Sequence, residues 1–386
     1  MAFHQSRKRT SARSGPIASQ TTATKITNET INSQEPELQN GGKERALLAD
    51  PDKKSLLSVA TRTDLFESIG TLLSNVQLSS LNSQQLDELA LLVSERGVVF
   101  FRNQNLSADG QARITQHYET IYPSPSPKRK DSFQDEEKPV KAYANSTAAK
   151  EIGSLDFESQ KEWHATKSYE VNPPSYSLLR TGESSGVAAW VSQYGLYDDL
   201  SKHWRGFLDG LHAEHTSRLQ DESQPIVENQ HPAIRTHPVT GLKTLNVTPG
   251  VVSGFAELKK KESESLLKFL DYHINSSDEH SVRFKLEPGS VAIWDNRSTA
   301  HKLISKSGPT GALGTETTVS GEKPYFNVQS ESRQEKTERV AREEQERIRR
   351  RKEAKARYNN TPLRRIIQRQ VLKQDKRGLC AKIHPR

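Results

Sequence analysis

Val282-Arg-Phe-Lys-Leu-Glu-Pro-Gly-Ser-Val-Ala-Ile-Trp-Asp-Asn-Arg297 is the stretch that decides the fold class. Val282, Phe284 and Leu286 alternate with Arg283 and Lys285, the period of a strand with one buried face. Pro288-Gly289 turns the chain, and Val291, Ile293 and Asp295 alternate again. The pattern predicts a β-hairpin ending just before Asn296-Arg297. Upstream, Val98-Val-Phe-Phe101 is a continuous apolar run of strand length. A helix precedes it: Asn82 and Gln85 form a capping pair, Leu86, Leu89, Ala90 and Val93 follow at helical spacing, and Gly97 stops the helix. A second helix is expected over about 199–214, with Leu200, Trp204, Phe207, Leu208 and Leu211 on one face. His212-Ala-Glu-His215 then reads as two surface histidines near that helix's end. A third helix, over about 259–274, uses Leu266, Leu267, Leu270 and Ile274. Few helices and several short strands point to a mainly β core with flanking helices.

The rest of the chain bounds this core. Of 386 residues, 32% are apolar, and adding the 21 glycines leaves the total below the globular norm. Part of the chain therefore builds no core. No apolar run is long enough for a transmembrane helix, so no membrane partner is expected. A single cysteine, Cys380, excludes an internal disulfide and any multi-cysteine metal site.

The net charge of +8 is uneven. Residues 1–28 carry five basic and no acidic side chains, and 331–386 carry nineteen basic and eight acidic ones, leaving −8 for 29–330. Residues 1–44, rich in Ser, Thr, Gln and Asn, read as a disordered tail. The acid-free start also suits a mitochondrial presequence, but its apolar face (Phe3, Ile17, Ile26) is thin, so a cytoplasmic protein is expected. Residues 45–330 form the folded domain, interrupted by a polar surface excursion over 123–162. Residues 331–386 read as a basic, charged helical tail, supported by Glu/Arg pairs at i,i+4 and open to an acidic or RNA partner. With so little apolar surface, the tail is not expected to pack on the domain.

Six motifs, in order, carry a resemblance: Ser94-Glu-Arg-Gly-Val-Val-Phe-Phe-Arg102; Trp163-His164 followed by Pro173-Pro174-Ser-Tyr-Ser; Trp190-Val-Ser-Gln-Tyr194; Arg235-Thr-His-Pro-Val-Thr-Gly241; Val291-Ala-Ile-Trp-Asp-Asn-Arg297 with His301; and Gly321-Glu-Lys-Pro-Tyr-Phe326. Residues 45–330 thereby resemble the taurine/sulfonate dioxygenase family of iron(II)- and 2-oxoglutarate-dependent oxygenases. The resemblance implies a double-stranded β-helix, a jelly-roll barrel with the metal at its mouth. It also implies iron(II), 2-oxoglutarate, a small acidic substrate of the sulfonate type, and a possible homo-oligomer.

The resemblance places the metal histidines at His164 and His301, in a set of two His and one carboxylate. The carboxylate position holds Thr166, a neutral hydroxyl. The cosubstrate positions hold Ala188, where the family has Thr, and Ala312, where it has Arg. The substrate positions hold Tyr122, where the family has His, and Glu316, where it has Arg. Replacing Asp by Thr, Arg by Ala and Arg by Glu makes a site meant for two anions more negative by two charges. The scaffold motifs stand and the chemistry-bearing positions do not, so the expectation is a catalytically degenerate oxygenase, a pseudoenzyme. One alternative is a working oxygenase with an atypical ligand set, in which Glu162 or Glu170 supplies the missing carboxylate. A second is an RNA-associated protein acting through its basic tail.

Overall fold

The two strands of the deciding stretch form where their alternation predicts, but they do not pair with each other. The computed structural model describes residues 44–119, 150–152, 162–220, 226–308 and 313–359, together with 362, 366 and 370; at 150–152 and 359 it describes the backbone alone. Most of the N-terminal tail, most of the 123–162 excursion, Tyr122 and Ala312 lie outside these residues.

In chain order the elements begin with α1 (Lys54–Leu57), β1 (Thr61–Asp64), β2 (Thr71–Ser74), α2 (Ser83–Arg96), β3 (Val98–Phe101), α3 (Ala108–Tyr118) and β4 (Lys150–Ile152). They continue with β5 (Tyr176–Thr181), β6 (Ser185–Ser192), α4 (Gln193–Asp198), α5 (Lys202–Leu208), β7 (His212–Thr216), β8 (Glu228–Pro232), β9 (Ile234–Thr236), β10 (Lys243–Leu245) and β11 (Val252–Phe255). The last are α6 (Lys260–Asn275), β12 (Ser281–Leu286), β13 (Val291–Asp295), β14 (Thr299–Ser307), β15 (Gly314–Thr318) and α7 (Arg333–Asn359).

A seven-stranded sheet, in the order β1-β2-β3-β13-β5-β15-β4, and a three-stranded sheet, β12-β6-β14, make the jelly roll. Their shared core holds Val98, Phe100, Ala188, Trp190, Val282, Phe284, Ala292 and Trp294. The alternate residues pack outward. Val99, Phe101, Val291 and Ile293 meet the leucines of α2. Ala189 and Val191 meet Leu266, Leu270 and Ile274 of α6. Both faces of β3 and β13 are thus covered, which explains their unbroken apolar runs.

The strand pairing corrects the predicted hairpin. β13 pairs with β3 on one edge and β5 on the other, while β12 pairs with β6 in the opposite sheet. Pro288-Gly289, with Gly289 at φ 76°, carries the chain from one sheet to the other. The capping pair is present: Asn82 Oδ1 accepts from the Gln85 amide at 2.9 Å, and Gln85 Oε1 accepts from the Asn82 amide at 3.0 Å.

The helix expected over 199–214 is also corrected. α5 ends at Leu208, and Trp204 and Phe207 remain partly exposed, at 37% and 45%. His212-Ala-Glu-His215 is strand β7, between β11 and β8, with His215 buried. Gly210 breaks the helical run, and the alternation of His212 and Glu214 with Ala213 and His215 then fits a strand.

Under the barrel's end lies a buried charge network. Arg297 Nη2 donates to Asp295 Oδ2 at 2.7 Å and pairs with Glu44 Oε1 at 2.8 Å. His237 Nε2 lies 2.9 Å from Asp295 Oδ2, and Ser94 Oγ donates to the same oxygen at 3.1 Å. Glu322 is ion-paired with Arg235 and lies 3.6 Å from Arg297. Burial alone raises the Asp295 pKa, but Arg297 and His237 more than offset it and hold the carboxyl well below the carboxylate range. The Asp-Asn-Arg motif is therefore a structural clamp that ties Glu44, at the start of the described chain, into the core.

Candidate active site

His301 lies on β14 opposite Trp190 of β6. His164 joins it through a two-residue bridge: the His164 amide donates to the His301 carbonyl at 3.0 Å, and the His301 amide returns the bond at 2.9 Å. This brings the two imidazoles to 4.3 Å between ring centroids. The segment before His164 is wedged in place. Trp163 Nε1 donates to Asn275 Oδ1 at 2.9 Å, and the Gly250 amide donates to the Trp163 carbonyl at 3.1 Å. A Cβ at Gly250 would come within 2.6 Å of that carbonyl, so only glycine allows this approach.

The tautomer of His164 follows from its neighbour. Its Nδ1 lies 2.9 Å from the Glu162 backbone oxygen. A carbonyl only accepts, so Nδ1 carries a proton; in the neutral ring this leaves the lone pair on Nε2, the arrangement a metal-binding imidazole requires. Burial, with some contribution from His164, lowers the His301 pKa well below the usual value and keeps the ring neutral. Two of the three positions that the resemblance assigns to the metal thus hold imidazoles in contact, a pair that fits a divalent metal.

The third position does not. Thr166 Oγ1 donates to Glu316 Oε1 at 3.2 Å, and Ser177 Oγ lies 3.5 Å from Thr166 Oγ1. The chain of hydrogen bonds continues inward: Asn296 Nδ2 donates to Ser177 Oγ, and Trp294 Nε1 to Asn296 Oδ1, each at 2.9 Å. Thr166 and Glu316 are therefore built into a polar ladder rooted in the Trp-Asp-Asn-Arg motif. Glu316 is buried on β15, facing Leu179 of β5 in register. Among the described residues, the group that brings three His or carboxylate donors within 4.8 Å of one another is Asp199, Glu279 and His280. His164, His301 and Glu316 do not form such a group. Glu162 is exposed and touches His164 through its backbone oxygen, and the Glu170 backbone oxygen accepts from His231. Neither places a carboxylate in the third position.

Of the positions to which the resemblance assigns cosubstrate and substrate binding, Ala188 and Glu316 lie among the described residues. Ala188 is buried in the apolar core layer with Leu303 and Phe284 and offers no hydroxyl. Glu316 places a carboxylate where the family resemblance implies a guanidinium.

Sequence reasoning missed a second histidine pair. His215 and His231 are buried on neighbouring strands β7 and β8, with ring centroids 5.1 Å apart. His215 Nδ1 lies 3.0 Å from Ser168 Oγ, and His231 Nε2 lies 2.9 Å from the Glu170 carbonyl oxygen. Asn229 Nδ2 donates to the Tyr169 carbonyl at 2.7 Å. Together they pin the turn that follows Thr166. Burial lowers both pKa values, that of His231 to about 4. The strand period of His212–Thr216 was the signal that would have found His215.

The family model described as taurine catabolism dioxygenase TauD, TfdA family, matches residues 61–304. A Saccharomyces cerevisiae protein named alpha-ketoglutarate-dependent sulfonate dioxygenase is 34% identical over 260 residues, covering 61% of this chain and 60% of its own. A Penicillium expansum protein named alpha-ketoglutarate-dependent dioxygenase cnsM is 33% identical over 276 residues, covering 66% and 76%. The crystal structure of a taurine dioxygenase from Burkholderia xenovorans superposes with a TM-score of 0.54 at 26% identity, covering 69% of this chain and 92% of that one.

Proposed function

This chain belongs to the TauD/TfdA dioxygenase family, and from that premise we propose that it keeps the family's barrel without its oxidation chemistry and acts, through that barrel, by binding rather than turnover. One observation carries the proposal: the hydrogen bond from Thr166 to Glu316. A facial site for iron(II) needs an anionic donor beside two imidazoles, with open positions for the cosubstrate. Here the donor position is a hydroxyl, and the nearby carboxylate is engaged by that hydroxyl.

The losses fall on one ligand. 2-Oxoglutarate would lose the charge-assisted contact of a guanidinium at position 312 and an anchored metal at its keto acid. Two such contacts at roughly 1.5–3 kcal/mol each amount to about two to four orders of magnitude in affinity. The residues therefore do not fit the cosubstrate.

The test is anaerobic loading of the purified protein with iron(II), followed by 2-oxoglutarate calorimetry and a succinate assay. The expected result is no binding at millimolar concentration and no succinate. Micromolar 2-oxoglutarate binding to the unmodified protein would overturn the proposal in favour of a working oxygenase with an atypical ligand set.

A further inference from the structure

The last helix changes character along its length. Its first turn is anchored: Arg333 donates to the carbonyls of Ser68 and Glu95 at 2.6 and 3.3 Å, and Arg339 pairs with Glu331 at 2.9 Å. From Val340 onward α7 is exposed except at Glu346. Residues 331–346 carry four basic and six acidic side chains, whereas 347–358 carry seven basic and one acidic. The sequence beyond, 359–386, adds eight basic side chains against one acidic.

The acids in α7 neutralise only part of this excess. Arg347 pairs with Glu344, Arg349 with Glu346 and Glu353, and Arg350 with Glu346. Arg351, Lys352, Lys355 and Arg357 make no ion pair among the described residues. At 3.6 residues per turn, Arg351, Lys352 and Lys355 share one side of the helix, continuing the line of Arg347, while Glu346 and Glu353 fall on the opposite side. Like charges at i,i+4 repel, so this side is held cationic against its own self-repulsion.

We infer that the exposed face bearing Arg351, Lys352 and Lys355 binds the phosphate backbone of nucleic acid. The inference stands independently of the proposed function of the barrel. Charge complementarity selects the partner. Arg347, Arg351 and Lys355 rise about 6 Å at each step, forming a row inclined to the helix axis in which Arg347 is paired with Glu344 and Arg351 and Lys355 carry the charge open to a linear polyanion. A membrane-surface helix needs a broad apolar face, and residues 347–358 offer only Ile348, Ala354, Ala356 and Tyr358. A protein partner would call for a desolvated aromatic or apolar anchor, which the face lacks.

Position helps as well. Residues 29–330 carry a net −8 and would repel a polyanion. The cationic row begins eight residues past the Arg339–Glu331 pair, about 12 Å along the helix, beyond the Debye length of roughly 10 Å at 0.1 M salt. The arm thus presents its charge outside the screened field of the body.

The test uses the full chain, fluorescence anisotropy with labelled DNA and RNA duplexes of about 30 base pairs, and a salt titration. The triple variant R351Q/K352Q/K355Q should bind at least tenfold more weakly at 50 mM salt. The slope of log affinity against log salt should fall by about 2–3, since each lost phosphate contact removes about 0.9. A control, K260Q/K261Q/K268Q, removes the same charge from exposed positions of α6 and should leave binding unchanged. The DNA and RNA arms tell which backbone is preferred. Equal loss in the control, absence of binding to both duplexes, or binding only to phosphatidylserine vesicles would each overturn the inference. Circular dichroism confirms that the variants keep their helix.

Discussion

Thr166 and Glu316 stand 150 positions apart in sequence and share a hydrogen bond of 3.2 Å. Each departs from what the family resemblance implies, and the hydrogen bond joins the two departures. Had position 166 kept a carboxylate, it would face the Glu316 carboxylate at hydrogen-bond distance. Had position 316 kept a guanidinium, the Thr166 hydroxyl would accept from it rather than donate. Threonine with glutamate is a self-consistent pair, held from behind by Ser177 and Asn296.

This coupling predicts the outcome of restoring the metal ligand. T166D alone should lower the melting temperature by a few degrees in EDTA, because two carboxylates then meet at a largely buried site. The double variant T166D/E316A should regain the unmodified melting temperature and bind Mn(II) more tightly than the unmodified protein, as read by calorimetry. A T166D variant that is as stable as the parent without metal would show that the pair is not coupled.

The buried histidines predict a pH dependence. His215, His231 and His301 have folded-state pKa values depressed by burial, that of His231 from 6.5 to about 4. Between those values the unfolded chain binds more protons than the folded one, so stability is full above about pH 6.5 and falls as the pH drops toward 4. His231 alone contributes on the order of 3 kcal/mol across that window. H231Q should flatten the decline of melting temperature between pH 6.5 and 4. An unchanged slope in H231Q would refute its assignment to this histidine.

Removing one member of the clamp should be costly. Asp295 faces Arg297, His237 and Ser94 at 0% exposure. D295N leaves the guanidinium without its closest counter-charge and should cost about 3–5 kcal/mol in urea unfolding. E44Q removes a second counter-charge of Arg297 while keeping an acceptor oxygen for Tyr176, and should cost less. An equal effect of the two would show that Asp295 holds no central place.

Truncation separates the anchored and free parts of α7. A chain ending at residue 346 should melt with the full-length protein. A chain ending at 330 should melt several degrees lower. It loses the Arg333 contacts, the Arg333 guanidinium 4.4 Å over the Tyr194 ring, and the Lys243 amide bond to the Glu331 carbonyl. Differential scanning fluorimetry decides between this result and the sequence-based expectation that nothing after 330 packs on the domain.

The sequence by itself determined the elements whose cause is local. Alternation marked β12 and β13, the Asn82–Gln85 box started α2, and the leucine spacing of α6 marked its buried face. The ordered motifs singled out His164 and His301, which the fold brings into contact, because chain order and spacing survive in sequence. What only the tertiary structure decided is which elements meet. β13 turned away from β12 because β3 and β5, from distant parts of the chain, occupy both its edges, while β12 pairs with β6 in the opposite sheet. His215 became a core residue because β7 runs between two other strands. Arg333, read as part of a solvated tail, found carbonyls and an aromatic face on distant segments. Thr166 and Glu316, seen separately as two losses, became one hydrogen-bonded pair. Periodicity and capping depend on neighbours within a few residues, whereas strand partners and buried polar pairs depend on surfaces brought together from across the chain, which no local pattern records.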